Sequence, residues 1–159
     1  MSTRKWHPWM LILVLGLVGC KAQSGNGITQ KDLVGTWQTV DTEVRLPSMN
    51  GTRKDSTFSL DAATRLAETN TQAPLTTLAV DGTYRDEVRD GEGKVVMANK
   101  GTWFLQETTL IIRLTSQGNG EMKFQVRKKG RDQLQLKNFV DWDMDGEEDD
   151  VITVQLKRQ

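Results

Sequence analysis

The densest group of side chains able to do chemistry is Asp141-Trp142-Asp143-Met144-Asp145-Gly146-Glu147-Glu148-Asp149-Asp150, seven carboxylates in ten residues. Carboxylates so crowded repel one another unless a cation sits among them. Alternate spacing followed by a glycine suits a hard cation that gathers many oxygen ligands, Ca²⁺ above all. Asp141, Asp143 and Asp145 fall at positions 1, 3 and 5 of such a loop, and Gly146 makes the sharp turn at 6. The Glu147 carbonyl serves at 7, Asp149 serves at 9 directly or through water, and Asp150 is available to complete the shell. Position 12 is Ile152, so the bidentate glutamate of a helix-flanked loop is missing. A structural Ca²⁺ that stiffens the last hairpin is one reading. Two others need no metal: a strand with its carboxylates in water and Trp142 and Met144 inward, or a solvated hairpin tip turning at Asp145-Gly146.

The other reactive residues are scarce. His7 is the sole histidine and Cys20 the sole cysteine. Both lie in a stretch that runs from Arg4 and Lys5 through apolar Trp9 to Val18 to small Gly19, the layout of a secretory signal with its cleavage site. The apolar part is too short to span a bilayer. Cleavage before Cys20 takes residues 1–19 from a chain of 159 and leaves 140, enough for one domain with one core. His7 goes with the signal. The mature chain then has no imidazole, which excludes Ser-His-Asp and Cys-His catalysis, histidine general bases and zinc sites built on histidine. A carboxylate-only enzyme needs just two positioned acids, but no pair stands out among the 21. The expectation is a protein that is not an enzyme, with no cofactor beyond the Ca²⁺ considered above. Losing Arg4 and Lys5 leaves 19 basic against 21 acidic residues, a formal charge of −2 that speaks against nucleic acid as a partner.

The elements that must position these residues follow from period and turn chemistry. Cys20 to Gly27 is small and polar, a flexible tether. Residues 28–159 form the folded domain. Ile28 to Val34 suits one helical turn with Thr29 as N-cap and Asp32 in the capping-box position. Gly35-Thr36-Trp37 then opens a strand that runs through Gln38 to Arg45, and the tripeptide recurs at Gly101-Thr102-Trp103. Leu46 to Pro74 is a long polar connection in which Asp61 caps a short helix, Ala62 to Glu68. It is either a lid or a solvated insertion. From Leu75 the period is two, with turns at Asp81-Gly82 and Asp90-Gly91-Glu92-Gly93. Leu110, Ile112 and Leu114 share one face, as do Met122, Phe124 and Val126, then Leu134 and Leu136, then Ile152, Val154 and Leu156. Eight to ten strands joined by short hairpins give an all-β, up-and-down antiparallel β-barrel, whose closure removes exposed edges. A two-sheet sandwich fits the same alternation.

Several of these segments carry a family resemblance. Leu17-Val18-Gly19-Cys20 resembles the lipobox of bacterial lipoproteins. That resemblance implies acylation of Cys20, palmitate among the acyl groups, and a membrane anchor. Lys21 in place of aspartate implies sorting to the outer membrane of the cell envelope, on its periplasmic face or the cell surface. Leu33-Val34-Gly35-Thr36-Trp37, Asp81-Gly82-Thr83-Tyr84, Gly101-Thr102-Trp103-Phe104-Leu105 leading into Leu110 to Leu114, and Leu156-Lys157-Arg158 together resemble the lipocalin-like domains of bacterial envelope lipoproteins. The resemblance implies that Gly35 and Trp37 sit at the closed end of the barrel with Arg158, or Lys157, over the indole in a cation–π contact. It also implies a small apolar or amphipathic ligand in the lumen, for which Tyr84, Trp103, Phe104 and Phe124 are the aromatic candidates and ordinary core the competing role. The other implied function is a structural or inhibitor-like lipoprotein with a solid core, contacting another envelope protein. The acidic run is similar to calcium loops set in β-hairpins, where position 12 need not supply a ligand.

Overall fold

The computed structural model describes residues 27–48, 52, 55–116 and 120–159. The signal segment, Cys20 and the tether through Asn26 lie outside the described residues. In chain order the elements are α1 (Gln30–Leu33), β1 (Gly35–Leu46), β2 (Ser56–Ser59), α2 (Ala62–Thr69), β3 (Leu75–Leu78), β4 (Thr83–Arg89), β5 (Val95–Gln106), β6 (Thr109–Leu114), β7 (Glu121–Lys128), β8 (Gln133–Val140) and β9 (Asp150–Arg158).

From β3 to β9 each strand pairs antiparallel with the next, and β9 returns to pair with β1 from Trp37↔Arg158 to Arg45↔Val151. That last ladder closes eight strands into a barrel and rules out the sandwich. One edge of β1 is divided between two partners: Gly35 to Gln38 pair with β3, whereas Glu43 to Leu46 pair with β2. A register shift between Thr39 and Asp41 separates the halves, and a bulge of this kind bends a strand locally. The long connection after β1 therefore contains an extra strand, β2, besides the expected helix. Asp61 caps α2 by accepting the Thr64 N–H at 2.8 Å, and Asn70 ends it with φ of 50°.

Inward-facing positions of the eight barrel strands meet in one core, with Leu33, Trp37, Leu78, Leu110 and Leu134 almost wholly buried. Each such leucine contributes roughly 2–3 kcal/mol by leaving water. The topology gives the barrel two unlike ends. At one end are α1, the short β3–β4, β5–β6 and β7–β8 turns, and the C-terminus. At the other are the β1–β3 connection with β2 and α2, and the acidic segment between β8 and β9.

Candidate functional site

The first end is sealed. The Trp37 indole N–H donates to the Leu33 carbonyl at 2.8 Å, and the Arg158 guanidinium lies 4.1 Å from the centre of the Trp37 ring. Arg158 also donates through Nη1 to the Val34 carbonyl at 2.6 Å and through Nη2 to the Asp32 carbonyl at 2.8 Å. These carbonyls lie at the C-terminal end of α1, where a helix leaves acceptors unfilled and favours a cation. Lys157 pairs with Gln38 in the ladder and points to solvent. Gly35 has φ of +141°, and a Cβ there would collide with Arg158 Nη1, so the approach of the guanidinium requires glycine. Trp103, 2 % exposed, completes the floor by donating its indole N–H to the Ala79 carbonyl at 3.0 Å.

Above this floor the lumen holds a cavity of about 320 Å³, so side chains do not fill it solid. Leu110, Ile112, Phe124, Leu134, Leu136 and Tyr84 supply much of its apolar wall. Its polar wall consists of Thr39, Thr42, Thr76, Asp86, Asn99 and, reaching in from α2, Arg65. Thr76, Asp86 and Asn99 are successive register partners, forming a row across β3, β4 and β5. The Thr76 hydroxyl donates to Asp86 at 2.8 Å and Arg65 Nη2 donates to the Thr42 hydroxyl at 3.1 Å. Burial pushes the Asp86 carboxyl above its ordinary range, against the Thr76 hydrogen bond and with the help of the Glu87 charge. Burial, with the Asp86 charge, likewise pushes the Tyr84 phenol up. Arg65 Nε and Asn99 Oδ1 are buried with no hydrogen-bond partner among the described residues. A buried polar atom left so costs about 1–3 kcal/mol.

Of the four aromatic candidates, Tyr84 and Phe124 line the cavity. Trp103 belongs to the floor instead. Phe104 alternates with Trp103, faces outward, and lies 5.0 Å beneath the Arg113 guanidinium, so it is not a pocket residue. Arg65, Asp86 and Asn99 were not among the expected site residues. A signal for Asp86 exists, because period two places it on the face of Tyr84.

The acidic segment is an ordered loop. Asp150, at the start of β9, is 0 % exposed, and its Oδ2 accepts the N–H groups of Trp142 at 2.6 Å and Asp143 at 3.1 Å. Asp141 Oδ2 accepts from Gly146 N–H at 3.0 Å, and Asp143 Oδ1 from Asp145 N–H at 3.2 Å. Left-handed backbone at Met144 (φ 60°) and Gly146 (φ 93°) turns the chain back on itself. One carboxylate oxygen each from Asp141, Asp143 and Asp150 come within 4.8 Å of one another. At an effective dielectric of about 20, each charged pair at that distance repels by about 3 kcal/mol. Burial, then the charges of Asp150, Asp145 and Asp143, push the Asp149 carboxyl up.

Of the five expected metal ligands, Asp141 and Asp143 thus converge, and Asp150 joins them. Asp145 is drawn elsewhere, accepting from Glu147 N–H at 2.9 Å and from the Ser48 hydroxyl at 3.0 Å. The Glu147 side chain is exposed. Trp142 and Met144 are 51 % and 88 % exposed, which overturns the reading of this segment as a strand with those two residues inward.

No family model matches the chain, and neither does any curated protein. Among solved structures, a lipocalin-like protein from Bacteroides uniformis is similar over 80% of this chain and 99% of its own, with a TM-score of 0.48 and 12% identity. A redesigned β-barrel is similar over 82% of this chain and 94% of its own, with a TM-score of 0.39 and 16% identity.

Proposed function

We propose that the barrel holds a small amphipathic molecule in its lumen, after the manner of a lipocalin, with the chain tethered to the outer membrane through acylated Cys20. The apolar body of the ligand lies against Leu110, Phe124, Leu134 and Leu136, and its polar end meets Arg65, Asp86 and Asn99. One observation carries this reading: Arg65 Nε and Asn99 Oδ1, a donor and an acceptor, are both buried on the wall of one apolar cavity without a partner. Stability alone gives no reason to retain such atoms, whereas an apolar pocket with a few convergent polar groups is what fixes a small ligand and its orientation. A volume of about 320 Å³ is near the lower end of ligand pockets and sets a small molecule rather than a long acyl chain. The role is binding, not catalysis.

Native mass spectrometry of protein purified from its own envelope tests this, with wild type, Arg65→Met and Leu136→Phe compared. The expected result is a co-purified small molecule on wild type, weakened about 10- to 100-fold by Arg65→Met, the equivalent of one charge-assisted hydrogen bond. Leu136→Phe, which narrows the cavity, reduces occupancy. Wild type carrying no small molecule, and showing no saturable uptake of an apolar fluorescent probe, would refute the reading.

A further inference from the structure

The three converging carboxylates share a pattern. Each uses one oxygen to hold the loop backbone: Asp141 Oδ2 on Gly146, Asp143 Oδ1 on Asp145, and Asp150 Oδ2 on Trp142 and Asp143. The other oxygen of each, Asp141 Oδ1, Asp143 Oδ2 and Asp150 Oδ1, is buried with no hydrogen-bond partner among the described residues. Asp149 Oδ1, next in the chain to Asp150, is in the same condition. None of the ion pairs among the described residues uses these four acids. Asp150 decides the matter, because it is a wholly inaccessible member of the cluster, fixed by two N–H donors on one oxygen, and its other oxygen is buried without a partner among the described residues. A buried carboxylate without a counter-charge is among the least tolerable groups in a fold.

We propose that Asp141, Asp143 and Asp150 bind one Ca²⁺ ion, with Asp149 completing the protein's share of the shell. The dimensions suit that ion. Three oxygens no more than 4.8 Å apart share a centre within about 2.8 Å of each, so a shift of a few tenths of an ångström brings all three to the Ca²⁺–oxygen distance of about 2.3–2.6 Å. The donors are all hard oxygens, which disfavours zinc and copper. Their placement on an irregular loop suits the loose coordination of Ca²⁺ better than the near-ideal octahedron Mg²⁺ requires. The site also governs the mouth of the barrel. Asp145, in the middle of the loop, accepts the Ser48 hydroxyl at 3.0 Å and so ties the loop to the start of the connection that carries α2 and Arg65. The proposal stands independently of the luminal ligand.

The test uses the full mature chain freed of divalent ions by chelation. Added Ca²⁺ is expected to bind at one ion per chain with a dissociation constant of about 10⁻⁴ to 10⁻³ M and to raise the thermal midpoint, with matched Mg²⁺ far weaker. Tb³⁺ is expected to luminesce on excitation of Trp142 within the loop, and Ca²⁺ to quench that signal by displacement. Asp150→Asn alters the one wholly buried carboxylate, which holds two backbone N–H groups, and is liable to misfold. Asp141→Asn and Asp143→Asn therefore decide, because these acids are partly exposed and each holds one N–H through an oxygen that asparagine keeps. Each is expected to fold and to weaken Ca²⁺ at least about tenfold, since affinity follows ligand charge. An unchanged midpoint in millimolar Ca²⁺ would overturn the site. So would equal Ca²⁺ stabilisation of wild type and both variants, or an ion held no better than Mg²⁺.

Discussion

Replacing Arg158 by alanine is expected to destabilise the barrel by about 3–4 kcal/mol, a figure that follows from what the guanidinium touches. Its fork donates to two backbone carbonyls, Val34 at 2.6 Å and Asp32 at 2.8 Å. Hydrogen bonds to a charged partner are worth about 1.5–3 kcal/mol each, and with 30% of the side chain exposed the lower figure applies to both. The face-on contact with Trp37 adds about 0.5–1 kcal/mol. Asp132 contributes little, because the pair is 3.9 Å long and its acid is 59% exposed. Against a total of roughly 5–15 kcal/mol for a domain, the loss is large but leaves a folded protein. Arg158→Lys keeps the charge near the end of α1 but not the fork, and is expected to recover about half. Urea unfolding followed by tryptophan fluorescence, compared at constant m, measures both. A loss below about 1 kcal/mol in Arg158→Ala would mean that water satisfies the two carbonyls as well as the guanidinium does. Full rescue by lysine would mean that charge alone matters. Either result refutes the reasoning.

Two further predictions concern pH, with opposite signs. Asp86 is held above the ordinary carboxylate value of 3.8 by burial, so the folded state binds its proton more tightly than the unfolded chain. Its contribution is complete below about pH 3.8 and is lost as pH rises through the folded value. Asp86→Asn, never charged, should therefore melt higher than wild type at pH 7 and equally at pH 3; no gain at pH 7 would count against a buried carboxylate there. Asp32 is depressed, first by the Lys128 ammonium at 2.6 Å and then by the Thr29 hydroxyl and N–H. Its contribution is present above about pH 3.8 and is lost as pH falls toward the folded value. Asp32→Asn should lower the urea midpoint at pH 7 and flatten its decline below pH 4, and an acid limb as steep as that of wild type would refute the assignment.

Period two, the turn dipeptides and the caps at Thr29 and Asp61 were legible because each is a local signal. Closure was expected only because it removes exposed edges, and the β9–β1 ladder bears it out; the alternation of Val154 and Leu156 fits a sandwich equally well and does not name β1 as the partner. The candidate site divides the same way. Phe104 and Trp103 are adjacent aromatics, and only the ladder shows that one faces in while the other lies outside under Arg113. Asp86 sits on the inward face of β4 but is hidden in sequence between Arg85 and Glu87, two charged residues that make the whole stretch look wet. In the acidic loop, linear spacing identified the carboxylates but not their directions. Ser48, 97 positions away, draws Asp145 aside, and the turn at Met144 and Gly146 brings Asp150 in.

The two ends of the barrel treat polar groups in opposite ways, and that contrast is hard to derive from stability. At the floor, the indole N–H groups of Trp37 and Trp103 and both terminal nitrogens of Arg158 have acceptors between 2.6 and 3.0 Å. Towards the mouth, Arg65, Asn99 and the loop acids Asp141, Asp143, Asp149 and Asp150 each bury an atom with no hydrogen-bond partner among the described residues, and Asp41 and Glu87 do so along β1 and β4. At about 1–3 kcal/mol apiece these atoms together rival the net stability of a domain. A core selected for stability alone would have replaced Asn99 and Asp150 with apolar residues of similar size. Unmet polar capacity concentrated towards one end of a closed barrel is what a fold looks like when its stability is completed by something it binds. On that argument the proposed luminal ligand and the proposed cation would act on the same end of the molecule, and removing either should loosen the mouth while leaving the floor intact. Amide hydrogen exchange distinguishes them: chelation should speed exchange from Asp141 to Asp150 and around Ser48, while Val34 and Trp37 keep their protection.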